Sequence, residues 1–325
     1  MVSAKVARTL GSIRCQSSSS RLAPAPEIAA WIERITSRSA EVTYDDIDDR
    51  RASQLRRTLP TRLGPKGGLD LPDKGTLPKA HHLAYFQPGS LLTELGEDGS
   101  STEYNAPAPY LRRMWAGGSF EWPSDPQTAL RIGERATQAN SVASAEFKSG
   151  MIFVNQKREL YHDDPREWAV REIRTHVFRR EVSGNEAVKA RAKKEATSAT
   201  PPAAPSHTFT YTPTAPLLFR YSALTYNAHR IHYDRDWCKS VENHQDLVVH
   251  GPLTATLLVE LAERVALDTG THLRRFEYRA TSPMYVDRDI LMEATPMEGQ
   301  EGKVEMTAKQ EGRVGMRAVA TFEAV

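Results

Sequence analysis

Between residues 251 and 266 the apolar positions follow a helical rhythm. Leu253, Leu257, Leu258, Leu261, Ala262 and Val265 recur every three or four residues, and alanine and threonine fill much of the remaining surface. A helix apolar over so wide an arc is expected to be buried. Four segments after it change to a period of two: RRFEYRAT, DILMEATPM, GKVEMTAKQ and RVGMRAVATFEA, with glycine and proline between them. Alternation of that kind predicts antiparallel strands. In the first half, FVNQKRELY and EWAVREIRTHVFRR alternate in the same way, and Gly117-Gly118 separates RRMW from SFEW as a strand pair or bulge. Residues 26 to 58 read as helical, with acids early and arginines late. Residues 59 to 80 read as a loop, and LLTELGEDG ends in a turn signal. FTYTP opens the second half as a strand, and LLFRYSALTYN follows it.

One long buried helix followed by strands predicts an α+β domain in which an antiparallel sheet wraps the helix. The order βαβα is missing, and neither GxGxxG nor GxxxxGK[ST] occurs, which argues against a doubly wound nucleotide-binding sheet. Residues 183 to 207, SGNEAVKARAKKEATSATPPAAPSH, hold almost no large apolar side chain and predict a linker between two domains.

Composition narrows the function classes. The chain has 325 residues, 39% hydrophobic and 26% charged, enough for two cores. A formal charge of +2 gives no mandate for nucleic acid. Mean hydropathy is −0.53 and no apolar run is long enough to span a membrane. The two cysteines, Cys15 and Cys238, exclude a disulfide scaffold and a multi-cysteine zinc site, and Cys238 reads as a small core residue. Before Glu27 there is no acid, while Lys5, Arg8, Arg14 and Arg21 accompany a serine-rich stretch and an apolar stripe of Val6, Leu10 and Ile13. Residues 1–21 therefore read as a mitochondrial transit peptide.

The candidate chemistry concentrates near one segment. Four of the ten histidines, His229, His232, His244 and His250, lie within YSALTYNAHRIHYDRDWCKS and NHQDLVVHGPL. Metal binding by His229 and His232 lacks HExxH or a cysteine pair, and no metal is expected. Turn histidines that satisfy backbone carbonyls are a second reading. Acid–base catalysis is the third: imidazole exchanges a proton near neutral pH, and the Asn227 amide can fix a water. On a regular helix positions 227 and 232 lie about 140° apart, so they share a site only across an irregular segment. His250-Gly251-Pro252 then opens the apolar helix. Proline suits the first helical turn, and the Gly251 N–H at the positive helix end is placed to hold a carbonyl oxygen gaining charge. The pairing suits proton chemistry beside a carbonyl or thioester.

Tyr221-Ser-Ala-Leu-Thr-Tyr-Asn-Ala-His-Arg-Ile-His232 resembles the hydratase-2 motif of MaoC-like hot-dog enzymes, with Tyr221, Leu224, Thr225, Ile231 and His232 in register. LVVHGPLTATL resembles the start of that family's central helix. In the first half, GTLPKAHHLAYFQP, ELGEDG and YLRRMWAGGSFEW are similar to the N-terminal hot-dog of mitochondrial hydroxyacyl-thioester dehydratase type 2 and of mesaconyl-CoA hydratases. The resemblance implies an α+β double hot-dog, two antiparallel sheets each wrapped round a long central helix. It divides the chain into a degenerate N-terminal hot-dog over 26–182 and a catalytic one over 208–325. It implies reversible hydration of trans-2-enoyl thioesters to (R)-3-hydroxyacyl thioesters without a cofactor. By this resemblance His232 is the catalytic histidine, and Gly251, with His250, holds the thioester carbonyl. The family's aspartate is Asn227 here, its asparagine is His229, the glycine before the aspartate is Tyr226, and its proline is Arg230. His229 and Arg230 are auxiliary candidates. Arg112, Arg113 and Trp115 are candidates to meet the substrate's carrier, with a strand of exposed arginines as the alternative. The expected substrate is an acyl-carrier-protein thioester of mitochondrial fatty acid synthesis in the matrix, or else a branched or dicarboxylic enoyl-CoA, for which Arg230 or Arg220 would supply a cation. A non-catalytic thioester-binding protein is the remaining class. A homodimer is a further expectation; no nucleic acid and no membrane span are expected.

Overall fold

A computed structural model describes residues 24–62, 75–162, 167–180 and 204–324. The expected transit segment, and all but residues 204–207 of the expected linker, lie outside these. The fold is the α+β double hot-dog, drawn as one continuous antiparallel sheet of ten strands. In the first half these are β1 (Glu41–Asp46), β2 (Arg112–Glu121), β3 (Arg135–Lys148), β4 (Met151–Tyr161) and β5 (Trp168–Arg179). In the second they are β6 (His207–Tyr211), β7 (Thr271–Ala280), β8 (Ile290–Pro296), β9 (Lys303–Gln310) and β10 (Arg313–Ala324). The spatial order is β1-β3-β4-β5-β2-β7-β10-β9-β8-β6, so β2 and β7 join the halves. Phe120 lies opposite Phe276 at this seam, their rings stacked 6.3 Å apart.

RRMW and SFEW form one strand, β2, whose register against β5 shifts between Trp115 and Gly117. Gly118 sits at φ +155°, where a Cβ would collide with the Ile173 carbonyl. Only glycine lets β2 run this close to β5 while it also pairs with β7.

The predicted long helix is α5 (Gly251–Thr269), buried from Leu253 through Ala262 and capped by Gly270 in the left-handed region. It packs against β6 to β10. Among the described residues it has no counterpart of similar length in the first half. There α1 (Pro26–Thr36) lies on β3 and makes a small core with Trp31, Val154 and Phe178, while α2 (Asp49–Thr58) packs on α3 (Ala215–Leu224) and joins the common core.

One local reading changes. Residues 26 to 58 are interrupted by β1, where Val42, Thr43 and Tyr44 suit a pleated edge. Val42 and Tyr44 remain exposed there, so no buried alternation marked the strand. LLFRYSAL lies in the helix α3, capped by the Thr214 hydroxyl accepting from the Leu217 N–H and started by Pro216. Cys238 is fully buried in α4 (Arg235–Ser240), its Sγ 3.1 Å from the Ile231 carbonyl. Among the described residues, no helix is long and apolar enough to cross a membrane.

Candidate active site

The segment between α3 and α4 is irregular, which is what brings positions 227 to 232 to one place. Helix α3 ends at Leu224, and Tyr226 adopts φ +51°, a left-handed conformation that suits glycine. The Asn227 side-chain oxygen accepts the His229 N–H at 3.1 Å. A single 3₁₀ turn, Arg230–His232, follows. The first half clamps this turn from outside: the Asp98 carbonyl accepts the Arg230 N–H at 2.7 Å, and the Asp98 carboxylate lies 3.5 Å from His229 Nε2.

His232 is 6% exposed and its Nδ1 is 2.7 Å from the Val248 carbonyl oxygen. A carbonyl only accepts, so Nδ1 carries the proton and Nε2 keeps a lone pair. Val248 is held in turn by its N–H to Ile231, and Val249 donates to Met284. The His232 and His250 rings stack 3.6 Å apart, and His229 meets His232 edge-on at 5.5 Å. Burial, and then the neighbouring His229, pushes the pKa of His232 down to about 3. Burial likewise lowers His229 to about 4, with Asp98 opposing and Arg113 adding to the shift. His250 falls well below its ordinary value through burial and the two other imidazoles. The cluster is therefore neutral at physiological pH, and His232 is a proton acceptor with its tautomer set.

His250 itself is fully buried, with Nε2 2.9 Å from Ser222 Oγ. Its ring underpins His232, while the next residue, Gly251, is only partly buried. Gly251 stands in the first turn of α5, followed by Pro252, and such N–H groups have no partner within the helix. Trp115 of β2 lies flat against it: a Cβ on Gly251 would meet Trp115 Cε3 at 2.5 Å. Tyr278 packs edge-on against Trp115 at 5.3 Å. The helix end at Gly251 thus meets the aromatic Trp115 of the other half, and the neighbouring residue, His250, stacks on the neutral His232 ring.

Residues 80–286 match the family model of hydroxyacyl-thioester dehydratase type 2. The chain belongs to that family. It is 34% identical over 262 residues to a mesaconyl-C(4)-CoA hydratase of Chloroflexus aurantiacus, covering 79% of this chain and 84% of that one. It is 26% identical over 279 residues to the mitochondrial hydroxyacyl-thioester dehydratase type 2 of Schizosaccharomyces pombe, covering 78% and 89%. A MaoC-like dehydratase structure from Phytophthora capsici superposes with a TM-score of 0.58 at 15% identity, covering 90% of this chain and 99% of that one, which supports the fold. The chain is accordingly a hydro-lyase of the hydroxyacyl-thioester dehydratase and hydratase type.

Several candidates sit elsewhere than the family pattern suggested. Arg230 is held by Asp234 at 2.7 Å and lies 4.0 Å over the Trp237 ring, and Arg220 is exposed on α3. The Arg230 guanidinium is therefore already paired within its own segment. Arg112 is not an exposed strand cation: it pairs with Glu242 of the second half at 3.0 Å. Arg113 is half-buried and donates to the Ser101 carbonyl at 3.1 Å. His244 packs edge-on against Tyr285 and adds weakly to the lowering of the His232 pKa. Among the described residues, no group of three or more His, Cys, Asp or Glu is placed to hold a metal. Asp98, Ser222 and the Trp115–Gly251 contact went unread in the sequence, because 98 and 115 lie more than a hundred positions from the turn and helix end that they meet.

Proposed function

We propose that the protein reversibly hydrates a trans-2-enoyl thioester to the (R)-3-hydroxyacyl thioester, with His232 as the single acid–base group. The observation that carries this reading is the Nδ1 contact to the Val248 carbonyl, which leaves Nε2 deprotonated beside the partly buried end of α5. In hydration, Nε2 takes a proton from water as the oxygen attacks the β-carbon. Asn227 orients that water through its NH2, because its oxygen is engaged by the His229 N–H. The carbonyl oxygen gains negative charge as the enolate forms, and the Gly251 N–H with the positive helix end stabilises it. The proton on His232 then passes to the α-carbon, and dehydration is the reverse. An asparagine in place of the family's aspartate is compatible with this scheme, since the amide orients water and removes no proton.

The mitochondrial matrix is the proposed compartment. The acid-poor, arginine- and serine-rich first 21 residues support it, as does the mitochondrial location named for the Schizosaccharomyces pombe relative. Two acyl groups compete: a 3-hydroxyacyl chain on acyl-carrier protein in fatty acid synthesis, and a dicarboxylic enoyl-CoA of the kind named for the Chloroflexus aurantiacus relative.

The test is loss of enoyl absorbance from crotonyl-CoA with the full chain and with His232→Ala. Removing a positioned acid–base group is expected to lower kcat by ~10²–10⁴. Unaltered kcat in the variant would overturn the assignment.

A further inference from the structure

LGEDGS in the first half is legible in sequence only as a turn. In the fold it is a tight hairpin pressed against the turn that carries His232. Leu95 and Ser101 bridge its two arms, the Gly96 N–H donates to the Ser100 carbonyl at 2.8 Å, and the Gly99 N–H donates to the Gly96 carbonyl at 2.8 Å. Arg113 of β2 ties the hairpin down through the Ser101 carbonyl. Gly99 sits at φ +78°, and a Cβ there would collide with the Ala228 carbonyl oxygen. Glycine therefore lets the tip of the hairpin touch the backbone just before His229.

Asp98 stands at that tip, and its backbone and side chain do separate things. The carbonyl accepts the Arg230 N–H at 2.7 Å and docks the hairpin. The carboxylate is held in place by Ser100, whose N–H donates to Oδ1 at 2.9 Å and whose hydroxyl lies 2.8 Å from both oxygens. So held, Asp98 Oδ2 lies 3.5 Å from His229 Nε2. A ring lone pair facing a carboxylate would be repelled, so Nε2 of the neutral His229 carries the proton. The two side chains are 17% and 23% exposed, and a pair so placed is screened less than one on the open surface.

The His229 ring packs nearly perpendicular to His232, 5.5 Å away, and its backbone N–H is fixed by the Asn227 side chain. The partner of His232 Nδ1 is a neutral carbonyl, that of Val248, and the ring stacked on His232 is the neutral His250. When Nε2 of His232 takes a proton from water, a positive charge forms inside this buried stack. A buried charge is costly unless an opposite charge lies near. We infer that Asp98, supplied by the first half, is a positioning residue for the reaction: its carboxylate holds His229 in the Nε2–H tautomer against His232, and its negative charge stabilises the imidazolium that forms there. The inference rests on the hydratase reading above, in which His232 carries the proton. It gives the first half a share in the chemistry of the second.

The experiment measures kcat and KM for crotonyl-CoA, with a urea midpoint, for the full chain, Asp98→Asn and Asp98→Glu. Asp98→Asn keeps the backbone carbonyl that docks the hairpin and removes the charge. It is expected to lower kcat roughly 10-fold, the size of one unit charge acting across an imidazole at the effective dielectric of a protein, with KM and the urea midpoint near their wild-type values. Asp98→Glu returns the charge and is expected to recover part of kcat. A second measurement needs no change at Asp98: the ¹⁵N spectrum of the histidine rings, in which the His229 signals are those missing from His229→Gln, is expected to show the proton on Nε2. An active wild type with an equally fast Asp98→Asn would overturn the inference alone. So would a loss of kcat that follows a fallen urea midpoint and that Asp98→Glu does not relieve, since a clamp without electrostatic effect would give that result. A proton on His229 Nδ1 in the wild type would overturn it even where Asp98→Asn does not fold. A wild-type chain that turns over no crotonyl-CoA would overturn the hydratase reading and the inference with it.

Discussion

Replacing Gly251 by alanine tests whether the two halves jointly build the carbonyl-binding corner. The added methyl would lie 2.5 Å from Trp115 Cε3 and 3.2 Å from Cζ3. Carbon atoms rest about 3.5–4.0 Å apart, so ring and helix end must separate by roughly 1 Å. The ring has little room to yield, with Tyr278 packed at 5.3 Å and Arg174 at 6.0 Å. Overpacking of this kind costs about 1–3 kcal/mol. If the helix end moves instead, the Gly251 N–H leaves the carbonyl, and a displacement of about 1 Å lowers the rate ~10²-fold. The assay is the initial rate of crotonyl-CoA hydration, with a urea midpoint to register the strain. Gly251→Ala is expected to lose about 10²-fold in kcat, and adding Trp115→Leu is expected to recover part of that loss. Residues in contact couple by about 0.5–3 kcal/mol, so the double variant should be less damaged than the product of the singles. A Gly251→Ala enzyme with wild-type kcat, or strictly additive singles, would refute the reasoning.

Other consequences follow from the same geometry. Since His232 in the fold is neutral down to about pH 3, the pH profile of kcat/KM should show no acidic limb near the ordinary histidine value of 6.5; a limb centred there would contradict the neutral stack. Stability should behave oppositely to a histidine salt bridge. A folded pKa below the unfolded 6.5 means that the unfolded chain binds more protons, so this contribution is complete above pH 6.5 and is lost progressively as pH falls toward about 3. Glu172, whose burial is outweighed by Arg174, His82 and Arg158 so that its pKa is lowered, adds loss in the same direction below the usual carboxylate range; urea midpoints between pH 8 and 2 read both. Ser222→Ala removes the partner of fully buried His250 Nε2 and is expected to cost about 1–3 kcal/mol in a denaturant titration. Tyr226→Gly relieves a left-handed residue that is 64% exposed. Left-handed strain of about 1–2 kcal/mol, less the entropy of glycine at about 0.5–1 kcal/mol, predicts a gain of roughly 0.5–1 kcal/mol, and a fall in the urea midpoint would count against it.

Much of the second half was legible in one dimension. The spacing of Leu253, Leu257, Leu258 and Leu261 specified a buried helix, and period-two alternation specified the strands that flank it, because both patterns arise within a few residues of chain. The same holds for Gly251-Pro252 at the helix start, whose chemistry is a property of local backbone. The turn carrying Asn227, His229 and His232 was legible as a cluster of polar groups, but its shape was not. Nothing adjacent in sequence shows that Asp98 clamps it, or that Val248 selects the tautomer of His232.

The first half resisted reading for a related reason. β1 exposes Val42 and Tyr44 at a sheet edge, so no buried face marked it as a strand. EWAVREIRTHVFRR alternated as a strand should, yet its alternation could not say whether Glu172, Arg174 and His176 face water or the interior. Only the pairing of β3, β4, β5 and β2 collects them with Asn140 and Arg158 into one band beside Trp115. Sequence determined the central helix, the strands that follow it and the candidate proton-transfer group, because periodicity and residue chemistry are local. Tertiary structure alone decided which neutral imidazole meets which carbonyl, and which arginines share one carboxylate, because those depend on contacts between segments far apart in the chain.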